Sequence, residues 1–238
     1  MSRFRHSLTF ALALSLVSCA PDPAERAYLA ALRGEEEGMG RVRQVELLDQ
    51  AIGLQPRRAW YRETKAIYLI DLKDYGRALA EIDTAISLAD RPYLRHLRGL
   101  VTCELGNPDR SLADFDAAIA GQPKNTQFYR GRSLALSAVG RYEEALRDAE
   151  HLIEAVPQQA ESWYARGVAR SGLGRDREAL ADFNEAQRLR PELIYPLEAR
   201  ARAHERLHEE ALAAEDRAKY ERLSKDSGCA LCVDPFRY

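Results

Sequence analysis

Three glycines, Gly106, Gly140 and Gly174, stand 34 residues apart, and the prolines Pro123, Pro157 and Pro191 keep the same interval. Few features constrain a chain more than such a period. It makes the fold a stack of like units, each burying its apolar face only against its neighbours. The residue types then say what a unit is. Glycine permits the left-handed backbone of a tight turn between two helices, and proline closes the second helix. Between these markers, in "YRGRSLALSAVGRYEEALRDAEHLIEAVP" and "YARGVARSGLGRDREALADFNEAQRLRP", apolar residues recur at helical spacing in both halves. No alternating strand pattern interrupts them. The chain of 238 residues, 46% hydrophobic and 30% charged, is long enough to bury a sizeable core. An all-α solenoid follows.

The repeat resembles the tetratricopeptide repeat, whose pattern places Trp/Tyr, Gly/Ala, Tyr, Ala, Phe, Ala and Pro at fixed offsets. Residues 160–193 carry Trp163, Gly167, Ala179, Phe183, Ala186 and Pro191 in register. The unit over 92–125 has Gly99, Phe115, Ala118 and Pro123, with Ser111 where alanine is usual. The unit from Thr126 keeps Tyr129, Ala145 and Pro157, with Ser133 in place of the small glycine. A shorter unit begins near Ala59 and retains Ala66, Ala78 and Ala85. A degenerate first unit over 25–58 ends "LLDQAIGLQP", parallel to "DFDAAIAGQP". A charged helix pair near 194–223 lacks a closing proline, as a cap would. The resemblance implies a right-handed solenoid over 25–223 of about five helix-turn-helix repeats plus a C-terminal capping pair, followed by a tail at 224–238.

The N-terminus reads separately. Arg3, Arg5 and His6 precede a short apolar run, Leu8 to Val17, which ends Leu16-Val17-Ser18-Cys19. The run is shorter than the roughly 20 apolar residues that span a bilayer. It resembles the signal and lipobox of bacterial lipoproteins. That resemblance implies removal of residues 1–18, lipid (palmitate among the acyl chains) on Cys19, and a short linker to residue 24. Two or more acyl chains make a stable membrane anchor. Ala20 stands where aspartate marks inner-membrane retention in such lipoproteins, so the expected place is the outer membrane, facing the periplasm. Asp22-Pro23-Ala24-Glu25 has an N-cap, a proline at the first helical position and an acid at the third, so a helix should start at once. Removing 1–18 takes two arginines, leaving 33 basic against 37 acidic residues, a net charge of −4. No long basic run remains, which argues against nucleic acid as a partner.

No catalytic constellation appears: no serine has a nucleophile context, and no glycine-rich phosphate loop follows a strand. The expectation is a non-enzyme without cofactor or metal. A charged pattern does recur. Lys65 and Glu81, Arg98 and Asp114, Arg132 and Asp148, and Arg166 and Asp182 are each sixteen residues apart, in four successive inner units. The terminal units are expected to lack such a pair. Helix-to-helix pairing within a unit explains it, and a charged ladder for a partner is the other reading. Cys229 and Cys232 form a C-x-x-C in the tail. A local disulfide is the leading reading for an exported protein. A metal- or redox-linked envelope protein is the alternative, with His204 and His208 joining the two thiols. Cys103 reads as a buried small residue.

In the first helix of each unit, positions two, five, nine and twelve lie opposite the packing stripe and should face a concave groove. They bring together Trp60, Glu63 and Ile67; Tyr93, His96 and Leu100; Gln127, Arg130 and Leu134; Tyr164 and Val168; and Tyr195. Aromatic and arginine side chains often dominate binding energy. The expected protein is therefore a lipid-anchored scaffold that binds envelope proteins through a peptide or helix in this groove. It resembles adaptors for cell-wall hydrolases and pilotins.

Overall fold

In the computed structural model, residues 21–34 and 36–227 are described, and they form twelve helices with no strand among them. The chain divides between Arg57 and Arg58 into two compact units. The first holds α1 (Pro23–Arg33) and α2 (Arg41–Leu54). Helix α1 starts where the sequence places it. The Asp22 carboxylate accepts from the amides of Ala24 and Glu25 at 2.8 and 3.0 Å, satisfying donors that a helix start leaves free. Ala31, Leu48 and Ala51 are fully buried, and Gln44 donates to the Ala31 carbonyl at 2.8 Å.

The second unit contains five helix pairs: α3 (Ala59–Asp71) with α4 (Tyr75–Leu88), α5 (Pro92–Glu104) with α6 (Pro108–Gly121), and α7 (Thr126–Ala138) with α8 (Tyr142–Ala155). Then follow α9 (Ala160–Gly172) with α10 (Asp176–Leu189), and α11 (Tyr195–Arg206) with α12 (Glu210–Ser227). Within each pair a three-residue turn is closed by one residue in the left-handed region: Lys73 (φ 59°), Gly106 (80°), Gly140 (78°), Gly174 (75°) and His208 (59°). Lysine and histidine hold the same turn at a steric cost, so these two positions are not legible from glycine spacing. His208 therefore lies in the turn after α11 and not on a helical face with His204, as a joint metal site with the two thiols would need. That pairing is corrected. Helix α12 also runs to Ser227, four residues past the expected end of the cap at Leu223.

Phenylalanines fill the space between helices. Phe115 of α6 is fully buried, and its ring lies where a Cβ on Gly99 of α5 would come within 2.8 Å and one on Gly131 of α7 within 2.6 Å. Phe183 of α10 sits against Gly167 of α9 in the same way, at 2.5 Å. In the unit from Thr126, where Ser133 replaces the usual glycine, the Ser133 hydroxyl is buried and donates to the Ala145 carbonyl at 2.9 Å. That unit has Ala149 where its neighbours have Phe115 and Phe183, so no ring of its own demands a glycine at 133, and Gly131 meets the Phe115 ring of the preceding pair instead.

Candidate functional site: the face of the first helices

Each spaced pair of charges meets across its own helix pair. The Arg132 guanidinium donates to both Asp148 oxygens at 2.8 and 2.7 Å, Arg98 likewise to Asp114 at 2.7 and 2.6 Å, and Lys65 to Glu81 at 2.6 Å. Arg166 donates to Asp182 at 2.7 Å, and Arg170 reaches the same carboxylate at 2.8 Å. The expectation that the terminal units lack such a pair is wrong for the cap: Arg200 grips Asp216, also sixteen residues on. Several of these arginines reach backward as well. Arg98 donates to Asp83 at 3.0 Å, Arg132 to Asp116 at 2.7 Å and Arg200 to Asn184 at 2.6 Å, so one side chain ties its own pair to the preceding one. The carboxylates hold the Arg98 and Arg132 guanidiniums even more firmly protonated than usual.

The face expected to bind a partner is assembled from α5, α7, α9 and α11, which pack in succession along one side of the second unit. A cleft of about 500 Å³ opens there. Leu134, Val168 and Ala199 come from the three first helices, and Tyr142 and Tyr164 frame it. Tyr142 begins α8, and its ring occupies the place where a Cβ on Gly172 would sit, at 2.2 Å. Ser137 also lines the cleft, and its buried hydroxyl has no hydrogen-bond partner among the described residues. Sequence reasoning found Leu134, Tyr164 and Val168 but missed Ser137, Tyr142, Ala199, Arg202 and Arg206. Ser137 and Arg202 stand at positions twelve and nine of that stripe in their own helices but were not named, whereas Tyr142, Ala199 and Arg206 lie off it. The available signal was Gly172, a small residue at position thirteen, beside an aromatic at the start of the preceding second helix.

The other expected groove residues divide. Trp60 is 50% exposed, with the Arg58 guanidinium 5.3 Å from its ring centre. Glu63 is ion-paired to Arg91, and Ile67 and Tyr93 are half-buried. His96, Tyr195 and Leu100 are buried, so the expectation that they stand open in a groove is corrected; Arg130 and Leu134 are also largely buried, but Leu134 keeps its place in the cleft lining. Adjacent first helices approach closely enough that positions five and nine turn into the seam between them. Tyr164 packs edge-on against Tyr195 at 4.4 Å, and burial pushes both phenols above their ordinary range. Cys103 donates to Ser111 at 3.0 Å, and burial pushes its thiol up to about 11, which leaves it a poor nucleophile. Cys19, Cys229 and Cys232 lie outside the described residues. His204 bonds Glu209 through Nδ1 at 2.7 Å. No group of three metal-ligating side chains occurs among the described residues.

His96 is fully buried against Phe115 and Phe128, with ring centres 5.7 and 4.9 Å away, and neither ring nitrogen has a partner. Burial, helped by the Arg130 charge, lowers its pKa to about 3. A histidine whose folded pKa is depressed contributes stability above its unfolded value near 6.5, and that stability drains away as pH falls toward 3. Between pH 7 and pH 5 the protein should lose about 2 kcal/mol more than a His96→Leu variant. Denaturant unfolding at the two pH values reads the difference. Parallel losses in the two proteins would contradict the neutral buried ring.

A profile of the tetratricopeptide repeat matches residues 160–193, and these residues form α9, its turn and α10. The fold agrees along the chain. PilW, a widely conserved type IV pilus biogenesis factor, is similar at a TM-score of 0.73 and 18% identity, over 85% of this chain and 94% of that one. Residues 160–193 are a tetratricopeptide repeat, and the chain has the tetratricopeptide-repeat fold. A tetratricopeptide-repeat protein from Parabacteroides merdae is similar at 0.71 and 18% identity, over 84% of this chain and 79% of that one. YrrB, a tetratricopeptide-repeat protein described as having an unusual peptide-binding site, is similar at 0.60 and 20% identity, over 74% and 91%. Likeness at such identities shows the fold. No curated protein matches the sequence.

Proposed function

We propose that this tetratricopeptide-repeat protein is a lipid-anchored scaffold of the bacterial envelope that holds partner proteins on the face of its first helices. The observation that carries the reading is the cleft itself. An apolar floor framed by tyrosines, with a buried unsatisfied hydroxyl in its wall, is what a binding surface offers and what a solvated helix face does not. The peptide-binding site named for YrrB is consistent with this use of the fold. Adaptors for cell-wall hydrolases and assembly factors of the pilotin kind are the finer expectation, and the likeness to PilW favours the second. The membrane attachment rests on Leu16-Val17-Ser18-Cys19. No described helix is long and apolar enough to cross a bilayer.

Two measurements test the two halves. After fractionation, the wild type should be in the membrane with its mature N-terminus at Cys19, and Cys19→Ser should remain uncut or appear in the soluble fraction. Unchanged attachment and mass in Cys19→Ser would remove the anchor from the account. For the scaffold, chemical crosslinking in intact cells should yield a protein adduct that Val168→Arg loses while staying folded. Persistence of every adduct would place binding elsewhere.

A further inference from the structure

One cation on the first-helix face stands out. Arg130 of α7 is 8% exposed and makes no hydrogen bond or ion pair with any described residue. The arginines at 98, 132, 166 and 200 are all bonded to carboxylates. The Arg130 stem is buried, yet none of its guanidinium nitrogens is among the side-chain atoms both sealed from solvent and unpartnered, so the charge is open to a carboxylate from outside. No described carboxylate is bonded to Arg130. His96 beside it has its pKa lowered in part by the Arg130 charge, so it stays neutral, and Arg130 also acts on Tyr195 of α11. A side chain felt on both α5 and α11 lies over the face these helices share. The carboxylate that acts on the same Tyr195, Glu161, is already held by Arg190.

Arg130, Leu134 and Ser137 follow one another at helical spacing on α7, and the last two line the cleft. Arg130 and Leu134 are about 6 Å apart along the helix axis. An extended chain advances about 6.6 Å in two residues, and those two side chains point the same way. We propose that this face takes an extended protein segment in which an aspartate or glutamate side chain pairs with Arg130 and a large apolar side chain two residues away enters the cleft beside Leu134. The inference rests on the protein-binding reading above and names the partner's chemistry. Arg130 recognises the carboxylate by a forked ion pair, and Ser137 offers its free hydroxyl to the segment's backbone. The acid is an internal side chain, so the segment needs no free C-terminus.

The test is selection from a displayed library of random dodecapeptides on the purified full chain, followed by titration of synthetic winners amidated at the C-terminus. The winners should share an acid and a large apolar residue two apart. Changing that acid to its amide should weaken binding at least tenfold. Arg130→Met should weaken the acidic peptide at least tenfold and leave the amide version within about twofold, while its thermal midpoint stays level or rises. Arg130→Lys should retain part of the preference. Winners of other chemistry, binding lost on amidation, or an acid-to-amide change without effect would overturn the inference while sparing the scaffold. Failure of the wild type to select any peptide would overturn both. The peptide-side comparison stands even if Arg130→Met does not fold.

Discussion

Phe115→Ala should destabilise the protein by about 3–5 kcal/mol, the cost of removing a fully buried aromatic ring and leaving its cavity. The surroundings are ill suited to collapse into the gap. Two glycines, Gly99 and Gly131, present bare backbone to the ring from α5 and α7, and backbone helices close a void less readily than side chains do. The same geometry predicts strong coupling. Gly131→Ala alone forces a methyl into the ring and should be costly, but in the Phe115→Ala background that methyl enters the vacated space. The double variant should therefore be more stable than the sum of the two losses implies. Denaturant unfolding of the four proteins in the cycle gives the coupling directly. A loss under about 1 kcal/mol for Phe115→Ala, or strict additivity, would mean that this ring is not the packing element between the two helix pairs.

The second large effect concerns Arg132, which grips two aspartates of very different burial. The Asp148 side chain is 9% exposed and bonded bidentately, whereas that of Asp116 is 61% exposed and receives one bond. Asp148→Ala strips the buried side of the guanidinium of its counter-charge and should cost about 3 kcal/mol. Asp116→Ala breaks a solvated contact of similar length and should cost under about 1 kcal/mol. Because the arginine is shared, the comparison sets a buried, doubly bonded carboxylate against an exposed, singly bonded one on the same guanidinium. Equal losses would return both pairs to the surface. Asp148→Asn, which keeps the shape and one acceptor, should fall between.

The architecture was legible because the repeat period is a statement about backbone. Glycine at the left-handed turn residue, proline after the second helix and small residues at close approaches are each demanded by sterics, and sterics act at fixed offsets. The sixteen-residue charge spacing was readable for the same reason, since it measures the distance from one helix to its partner across the turn. Where an offset was filled by another residue type, the signal faded. Lys73 and His208 hide two turns of the same geometry, Gly131 makes a close approach to the preceding pair's ring at a position the motif does not mark, and Arg200 with Asp216 were overlooked in a segment already crowded with charge. The site was less legible than the fold. Which side of a first helix is open depends on how tightly successive units nest, and that distance is a property of packing. His96, Arg130 and Tyr195 sit at the expected register yet are buried, while Tyr142 reaches the cleft from a second helix.

The central claim is that the first-helix face holds the partner. It is tested most directly by a photo-reactive phenylalanine analogue placed at Val168 in the cleft and, separately, at Arg147, whose side chain is 69% exposed on α8. Irradiated in the native cell, the Val168 position should give a discrete protein adduct and the Arg147 position none. An adduct from Arg147 with none from Val168 would contradict the account.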